Sequence, residues 1–337
     1  MLYWKLTMLR PVSWTSLRLV CRKFATVSSS AINRYPTSKP AAELLEGSVP
    51  SQLDRSILSA VQSGRYPLSG LIRDYLDNVG TVLDASLAYE SRPSPSRSLS
   101  SRTSESSRNP LVLVAHCVRD GNNHKLTLCS GFALKVSSQR EGEAYVLTCA
   151  HTFEEIRHSP LMFNTTSKME DLLPVELQSC QSGTFVITGD EQSIKTHPVT
   201  AISSALPRSD LILLSCTTPS VPTVPVSPYP VHPQTPIRAH FVSHVKPKEP
   251  GWSSWIGGTW SKWPGTYDAL NHMLFRPLPT AGSSGGPIID EESGAVVGVM
   301  LGTRMDNRIE GLRGWGVPSE TIFEVKMFSL PGLEGKK

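Results

Sequence analysis

Between residues 48 and 90, apolar side chains fall at Leu53, Ile57, Leu58 and Val61, and again at Leu71, Ile72, Tyr75, Leu76, Val79 and Leu83. Steps of three and four place each set on one side of a helix, and Gly64 to Pro67 interrupts the series, so the pattern predicts two amphipathic helices. Their stripe needs a surface to cover it, either the main domain or a neighbouring subunit, which leaves a homo-oligomer open; a propeptide is the sharper alternative. Further along the chain the period changes. Tyr145-Val-Leu147, Leu211-Ile-Leu-Leu214 and Pro287-Ile-Ile289 are short β-prone runs that read as strands.

Two stretches break this patterning. Residues 91–108 hold nine serines, four arginines and two prolines. Such a chain cannot bury a core and reads as a mobile linker open to cleavage. Pro219 to Pro264 holds ten prolines with Trp252, Trp255, Trp260 and Trp263, and is read as packed surface aromatics or as part of a substrate cleft. The 337 residues therefore divide into an N-terminal segment 1–40, a helical extension 41–90, a linker 91–109 and a main domain 110–330 with halves at about 110–225 and 230–325.

The chemistry lies where strands begin and end. Thr280-Ala-Gly-Ser-Ser-Gly-Gly-Pro-Ile-Ile-Asp290 sets two serines among three glycines before an apolar run. Taken alone it is ordinary loop material. Gly282-Ser-Ser-Gly-Gly286 also fits two nucleophile patterns, that of the α/β-hydrolases and that of the chymotrypsin-like proteases. The first needs a histidine after the serine, and the last histidine of the chain is His272, so it is excluded. The second needs the order His, Asp, Ser. His151 ends the run Tyr145-Val-Leu-Thr-Cys-Ala-His151, and Asp210 leads Leu211-Ile-Leu-Leu214. Singly, His151 is a core-edge histidine and Asp210 a turn aspartate facing water. Together with Ser284 they form the required series, with Asp210 at a strand start where a charge is costly unless an imidazole N–H pairs it.

Ser130-Gly-Phe-Ala-Leu-Lys-Val136, Gly294-Ala-Val-Val-Gly-Val-Met300 and Gly314-Trp-Gly-Val-Pro-Ser319 complete a resemblance to the trypsin-like peptidases over residues 110 to 325, and more narrowly to their HtrA/Deg branch. The resemblance implies an all-β fold, a double Greek-key β-barrel of chymotrypsin type, with the cleft between the barrels. It implies His151 as general base, Asp210 as its orienter and Ser284 as nucleophile, with Gly282, Ser283 and Ser284 supplying the oxyanion hole, each donor worth about 3 kcal/mol. The floor of the specificity pocket, six residues before the nucleophile, falls at Leu278, and its wall at Met300, Leu301 and Gly302. The chain departs from the pattern at Ser283, where zymogens of the family carry the aspartate that pairs with a freed amino terminus, so that route of activation is not expected. Only eighteen residues follow Ser319, too few for the PDZ domain usual in the HtrA branch.

Composition refines the setting. Net charge is +4 and concentrated at the front, which argues against a nucleic-acid surface on the folded domain. The six cysteines include no C-x-x-C pair, which leaves zinc and redox motifs unsupported, and the position after His151 that secreted trypsins give to cysteine is Thr152. The thiols are read as mostly free, in a reducing compartment, and no metal or cofactor is expected. The first 42 residues contain no Asp or Glu but hold Lys5, Arg10, Arg18, Arg22, Lys23, Arg34 and Lys39, the composition of a mitochondrial transit peptide, and Arg22-Lys-Phe-Ala25 resembles a matrix-processing site. No run is long enough to span a membrane. The sequence thus points to a mitochondrial serine endopeptidase acting on unfolded or organellar proteins. An inactive protease-fold chaperone or scaffold and an esterase on the same barrel are the other readings.

Overall fold

The computed structural model describes residues 38–39, 52–64, 66–87, 110–121, 123–137, 139–162, 180–189, 193–218, 221–229, 231, 235–242, 260–261, 266–267, 273–275, 282–306, 311–323 and 327–328. The segment read as a transit peptide, apart from Ser38–Lys39, lies outside these residues, as do the linker 91–109, Leu278, Trp252, Trp255 and Trp263.

Strands β1 (Ser38–Lys39), β2 (Leu111–Asp120), β3 (Asn123–Leu134), β4 (Glu143–Cys149), β5 (Cys180–Thr188), β6 (Lys195–Leu206) and β7 (Leu211–Thr217) form one sheet in the order β1-β3-β2-β5-β6-β7-β4. A further antiparallel pairing of β3 with β4, from Gly131↔Thr148 to Leu134↔Tyr145, closes the six strands β2 to β7 into a barrel. β2 is buried from Leu111 to Val118 without alternation, because one face lines the barrel and the other packs against a helix.

That helix is α1 (Gln52–Gln62), which lies on β2 and β5 through buried Leu53, Ile57 and Val61. α2 (Leu68–Asp77) buries Leu68, Leu71 and Tyr75 and lies along β6. The chain leaves helical geometry sooner than the apolar series suggests, and Leu76 and Val79 are exposed. The edge of β6 accounts for this. The Asn78 side chain donates to the Ile202 carbonyl at 2.8 Å, and Gly80 N–H donates to the Ala205 carbonyl at 2.8 Å, with Gly80 at φ 70°. Single bridges Val79↔Ala205, Leu83↔Phe328 and Leu87↔Val136 then carry the chain over the barrel in extended form.

The second sheet runs β10 (Thr266–Tyr267), β11 (Met273–Phe275), β14 (Gly311–Pro318), β13 (Val296–Asp306), β12 (Pro287–Asp290), β8 (Ile237–Ala239), β9 (Trp260–Ser261), all neighbours antiparallel. Ile289, Val299, Leu301, Trp315 and Val317 join a core that also holds Val114, Phe132, Leu147 and Leu213 of the first barrel, so one apolar cluster fastens the two halves. The molecule is mostly β and consistent with a chymotrypsin-like double barrel.

Candidate active site

Strand β4 ends at Cys149, and the chain turns directly into the short helix α3 (His151–Arg157), whose Phe153 and Ile156 are fully buried. Those two anchors fix the helix, and with it His151 at its first position. The Phe153 ring lies 5.3 Å from the Tyr75 ring of α2, so the N-terminal helices brace the element that carries the histidine.

Asp210 precedes β7 and caps a single 3₁₀ turn at Pro207–Ser209. It is the one described non-glycine residue with positive φ, at 57°, a conformation that aspartate tolerates better than most side chains. The kink turns its carboxylate inward, where only 4% of the residue is exposed. Oδ2 lies 2.7 Å from His151 Nδ1, and Oδ1 accepts the His151 backbone N–H at 2.7 Å. The Asp210 carbonyl accepts from Ala150 N–H at 3.0 Å. Three bonds thus tie the two strand ends together, and the carboxylate is satisfied on both oxygens, which is what makes its burial affordable. With Nδ1 engaged, His151 Nε2 is the nitrogen left to act, and it sits 3.8 Å from Cys149 Sγ.

Ser284 lies on the loop leading into β12 and is 1% exposed. Two glycines set its path. Gly285 has φ 82°, and a Cβ there would collide with the Ser130 carbonyl and with Thr148 Oγ1, both on first-barrel strands. A Cβ on Gly286 would collide with the His240 carbonyl. The Gly282–Gly286 loop therefore passes against the first barrel at a separation only glycine permits. Ser284 Oγ donates to the Leu301 carbonyl at 3.0 Å, and among the described residues no hydrogen bond joins it to His151. Among the same residues neither Gly282 nor Ser284 N–H donates a hydrogen bond, while Ser283 is buried in the same turn with its carbonyl accepting from Gly286 N–H at 3.0 Å. Among the described residues, the N–H groups on either side of Ser283 thus have no acceptor.

The residues read as a pocket wall are distributed differently. Leu301 is the bulged residue of β13, between the pairs Met300↔Gly316 and Gly302↔Trp315. Its side chain belongs to the shared core and it meets Ser284 through its carbonyl; Met300 is buried within the second half. Two further features escaped the sequence. Ser130, on β3, touches the Ser284 loop through both its backbone and its side chain. Cys129 and Cys149 both lie against Thr152 Oγ1, at 3.2 and 3.6 Å. Cys117, Cys129, Cys149 and Cys216 are free and buried. Burial pushes the Cys149 thiol above its ordinary range and those of Cys117 and Cys216 up to about 12, so these three are protonated near neutrality. His240, beside Gly286, is held at about 4 by burial and by Arg238, and is neutral.

The chain thus holds a buried carboxylate–imidazole pair in its first barrel and a glycine-flanked serine on a loop that packs against that barrel, and the class they fall in is that of the serine peptidases. The chain belongs to the trypsin-like peptidase family: residues 129–299, just over half of it, match the family model described as Trypsin-like peptidase domain. The matched region is accordingly a serine-type peptidase domain. No curated protein matches the chain in sequence. Among solved structures it is similar to a serine endoprotease from Yersinia pestis (15% identity, TM-score 0.40, covering 68% of this chain and 64% of that one). It is also similar to the MamO protease domain from Magnetospirillum magneticum (15%, TM-score 0.37, covering 65% and 96%), and to the Rv3671c protease from M. tuberculosis in its active form (15%, TM-score 0.37, covering 70% and 87%). The chain thus spans less than two thirds of the length of the Yersinia protein.

Proposed function

We propose that the protein is an endopeptidase that cuts unfolded or organellar proteins through a Ser284–His151–Asp210 triad. The observation that carries this reading is the pair of hydrogen bonds that the Asp210 carboxylate accepts from His151, at ring and backbone, which fixes the tautomer with Nε2 as acceptor. In the proposed cycle Ser284 Oγ turns from the Leu301 carbonyl toward Nε2, gives up its proton and attacks the peptide carbonyl. Catalytic contacts are often unformed before substrate binds, so the resting bond to Leu301 is compatible with this role. The oxyanion meets the N–H groups of Gly282 and Ser284. His151 then protonates the leaving amine, and water, deprotonated by His151, releases the acyl group.

The HtrA-like affiliation, a mitochondrial address and a homo-oligomeric state belong to the same proposal. The acid-free basic stretch over the first 42 residues supports the address; the mature amino terminus is expected between residues 24 and 34. Among the described residues no helix is long and apolar enough to cross a membrane. The deciding experiment is fluorophosphonate labelling of the purified protein followed by casein digestion, each with Ser284→Ala and His151→Ala alongside. Labelling and digestion should disappear in Ser284→Ala, and turnover in His151→Ala should fall on the order of 10⁴-fold or more. Digestion that persists in Ser284→Ala overturns the triad.

A further inference from the structure

We infer that Ser130 is a positioning residue for the oxyanion-binding turn, acting from the opposite barrel. Ser130 stands in β3, fully buried, and every polar group it owns is engaged. Its Oγ–H donates to the Gly282 carbonyl at 2.7 Å, and the same oxygen accepts the Val242 N–H at 2.9 Å. Its N–H donates to the Ser284 carbonyl at 2.8 Å, and its carbonyl accepts from Thr148 Oγ1 at 2.6 Å. One residue of the first barrel therefore holds the carbonyls on both sides of Ser283. The third carbonyl of the turn, that of Ser283, is taken by Gly286 N–H at 3.0 Å.

The pattern has a directional meaning. Each carbonyl shares a plane with the following N–H, so Ser130 fixes the Gly282–Ser283 peptide that lies between the Gly282 and Ser284 N–H groups, and Gly286 N–H, through the Ser283 carbonyl, fixes the plane that carries Ser284 N–H. Gly282 has φ 81° and no Cβ to restrict its rotation, so ψ at this position is set by what its carbonyl bonds to. The Ser130 hydroxyl supplies that bond. Removing it leaves a buried carbonyl without its side-chain donor next to the most rotatable residue of the loop, a circumstance that favours a turned peptide. Val242 gains from the same oxygen, which ties the turn to the start of the second half as well.

This rests on the reading of Ser284 as nucleophile, and the test separates the two. Wild type, Ser284→Ala, Ser130→Ala and Ser130→Cys are compared by kcat per site titrated with fluorophosphonate, KM for a fluorogenic peptide, thermal midpoint and inhibition by a peptide boronate, which forms a tetrahedral adduct. Counting only titrated sites removes unfolded protein from the comparison. Ser130→Cys keeps the side chain's shape and a weak donor, and is carried in parallel so that the result survives an unfolded alanine variant. The expected result for Ser130→Ala is a loss in kcat of about 10²-fold, with KM within a few-fold and boronate affinity falling in step with kcat/KM; Ser130→Cys should fall between. A folded Ser130→Ala or Ser130→Cys with wild-type kcat and boronate affinity per site, or with a change in KM alone, overturns the inference. Wild type without Ser284-dependent turnover overturns both the inference and the reading beneath it.

Discussion

Asp210 holds His151 twice, by the ring nitrogen Nδ1 and by the backbone N–H, both at 2.7 Å. The second bond matters as much as the first, because it fixes the root of the side chain while the first fixes its tip. Asp210→Asn keeps the size and tolerates φ 57°. It places an amide where the imidazole N–H needs an acceptor, or forces the other tautomer. A drop in kcat of about 10³ to 10⁴-fold is expected with the thermal midpoint within a few degrees of wild type, read from peptide hydrolysis and circular dichroism.

Gly285→Ala tests the contact between the halves. The new Cβ meets the Ser130 carbonyl and Thr148 Oγ1, at a φ of 82° that L-residues avoid. The expected cost is at least ~2 kcal/mol, or about 4–8 °C in thermal midpoint, with loss of fluorophosphonate labelling. A variant labelled at the wild-type rate would mean that the loop is free of this restraint.

The N-terminal helices reach the site through Tyr75, whose ring lies against Phe153 of α3. Tyr75→Ala opens a cavity beneath the helix that begins with His151. About 3–5 kcal/mol of stability should be lost, measured by urea unfolding, and kcat should fall in the variant that remains folded. Unchanged activity in that variant would show that α2 stabilises the barrel without supporting the histidine.

Acid should destabilise the fold through buried histidines. His240 is lowered from 6.5 to about 4 by burial and by Arg238, so between these values the unfolded chain holds a proton that the folded chain refuses. Its contribution is complete above pH 6.5 and is lost as pH falls toward 4, up to about 3 kcal/mol. Burial also lowers His124 and His197, which contribute with the same sign. Urea midpoints measured from pH 7 to 4.5 should decline, and His240→Gln should flatten part of that decline.

Specificity follows from Leu278 if it forms the floor of the pocket, as the family resemblance implies. An apolar floor offers no partner to a lysine or arginine, and burying that cation unpaired costs several kcal/mol. Cleavage is expected after Val, Leu, Ala or Met. Mass spectrometry of fragments from an unfolded substrate reads this directly, and a majority of cuts after Lys or Arg would refute it.

What the sequence revealed divides along a physical line. The strands around the chemistry were legible because β4, β7 and β12 are short apolar runs next to residues with no place in a core: His151, Asp210 and the glycines before Pro287. β2 gave no alternation to read, because α1 covers its second face. The end of α2 was misjudged because competition from the edge of β6, far away in sequence, ends it, and no propensity within the helix records that. The positive φ of Asp210 answers to its pairing with His151 on another strand end, and both bonds from Ser130 to the Ser284 loop depend on how the two halves dock. The one local hint of the latter was a serine within the apolar series leading to Phe132 and Leu134, a polar group that burial obliges to find a partner.

The seam between Ser130 and Ser284 also bears on timing. The histidine and aspartate belong to a barrel that closes on itself, whereas the serine turn takes its shape from a strand of that barrel. A chain still being synthesised is therefore expected to leave the Ser284 turn unformed until residues 282–286 emerge and dock on Ser130.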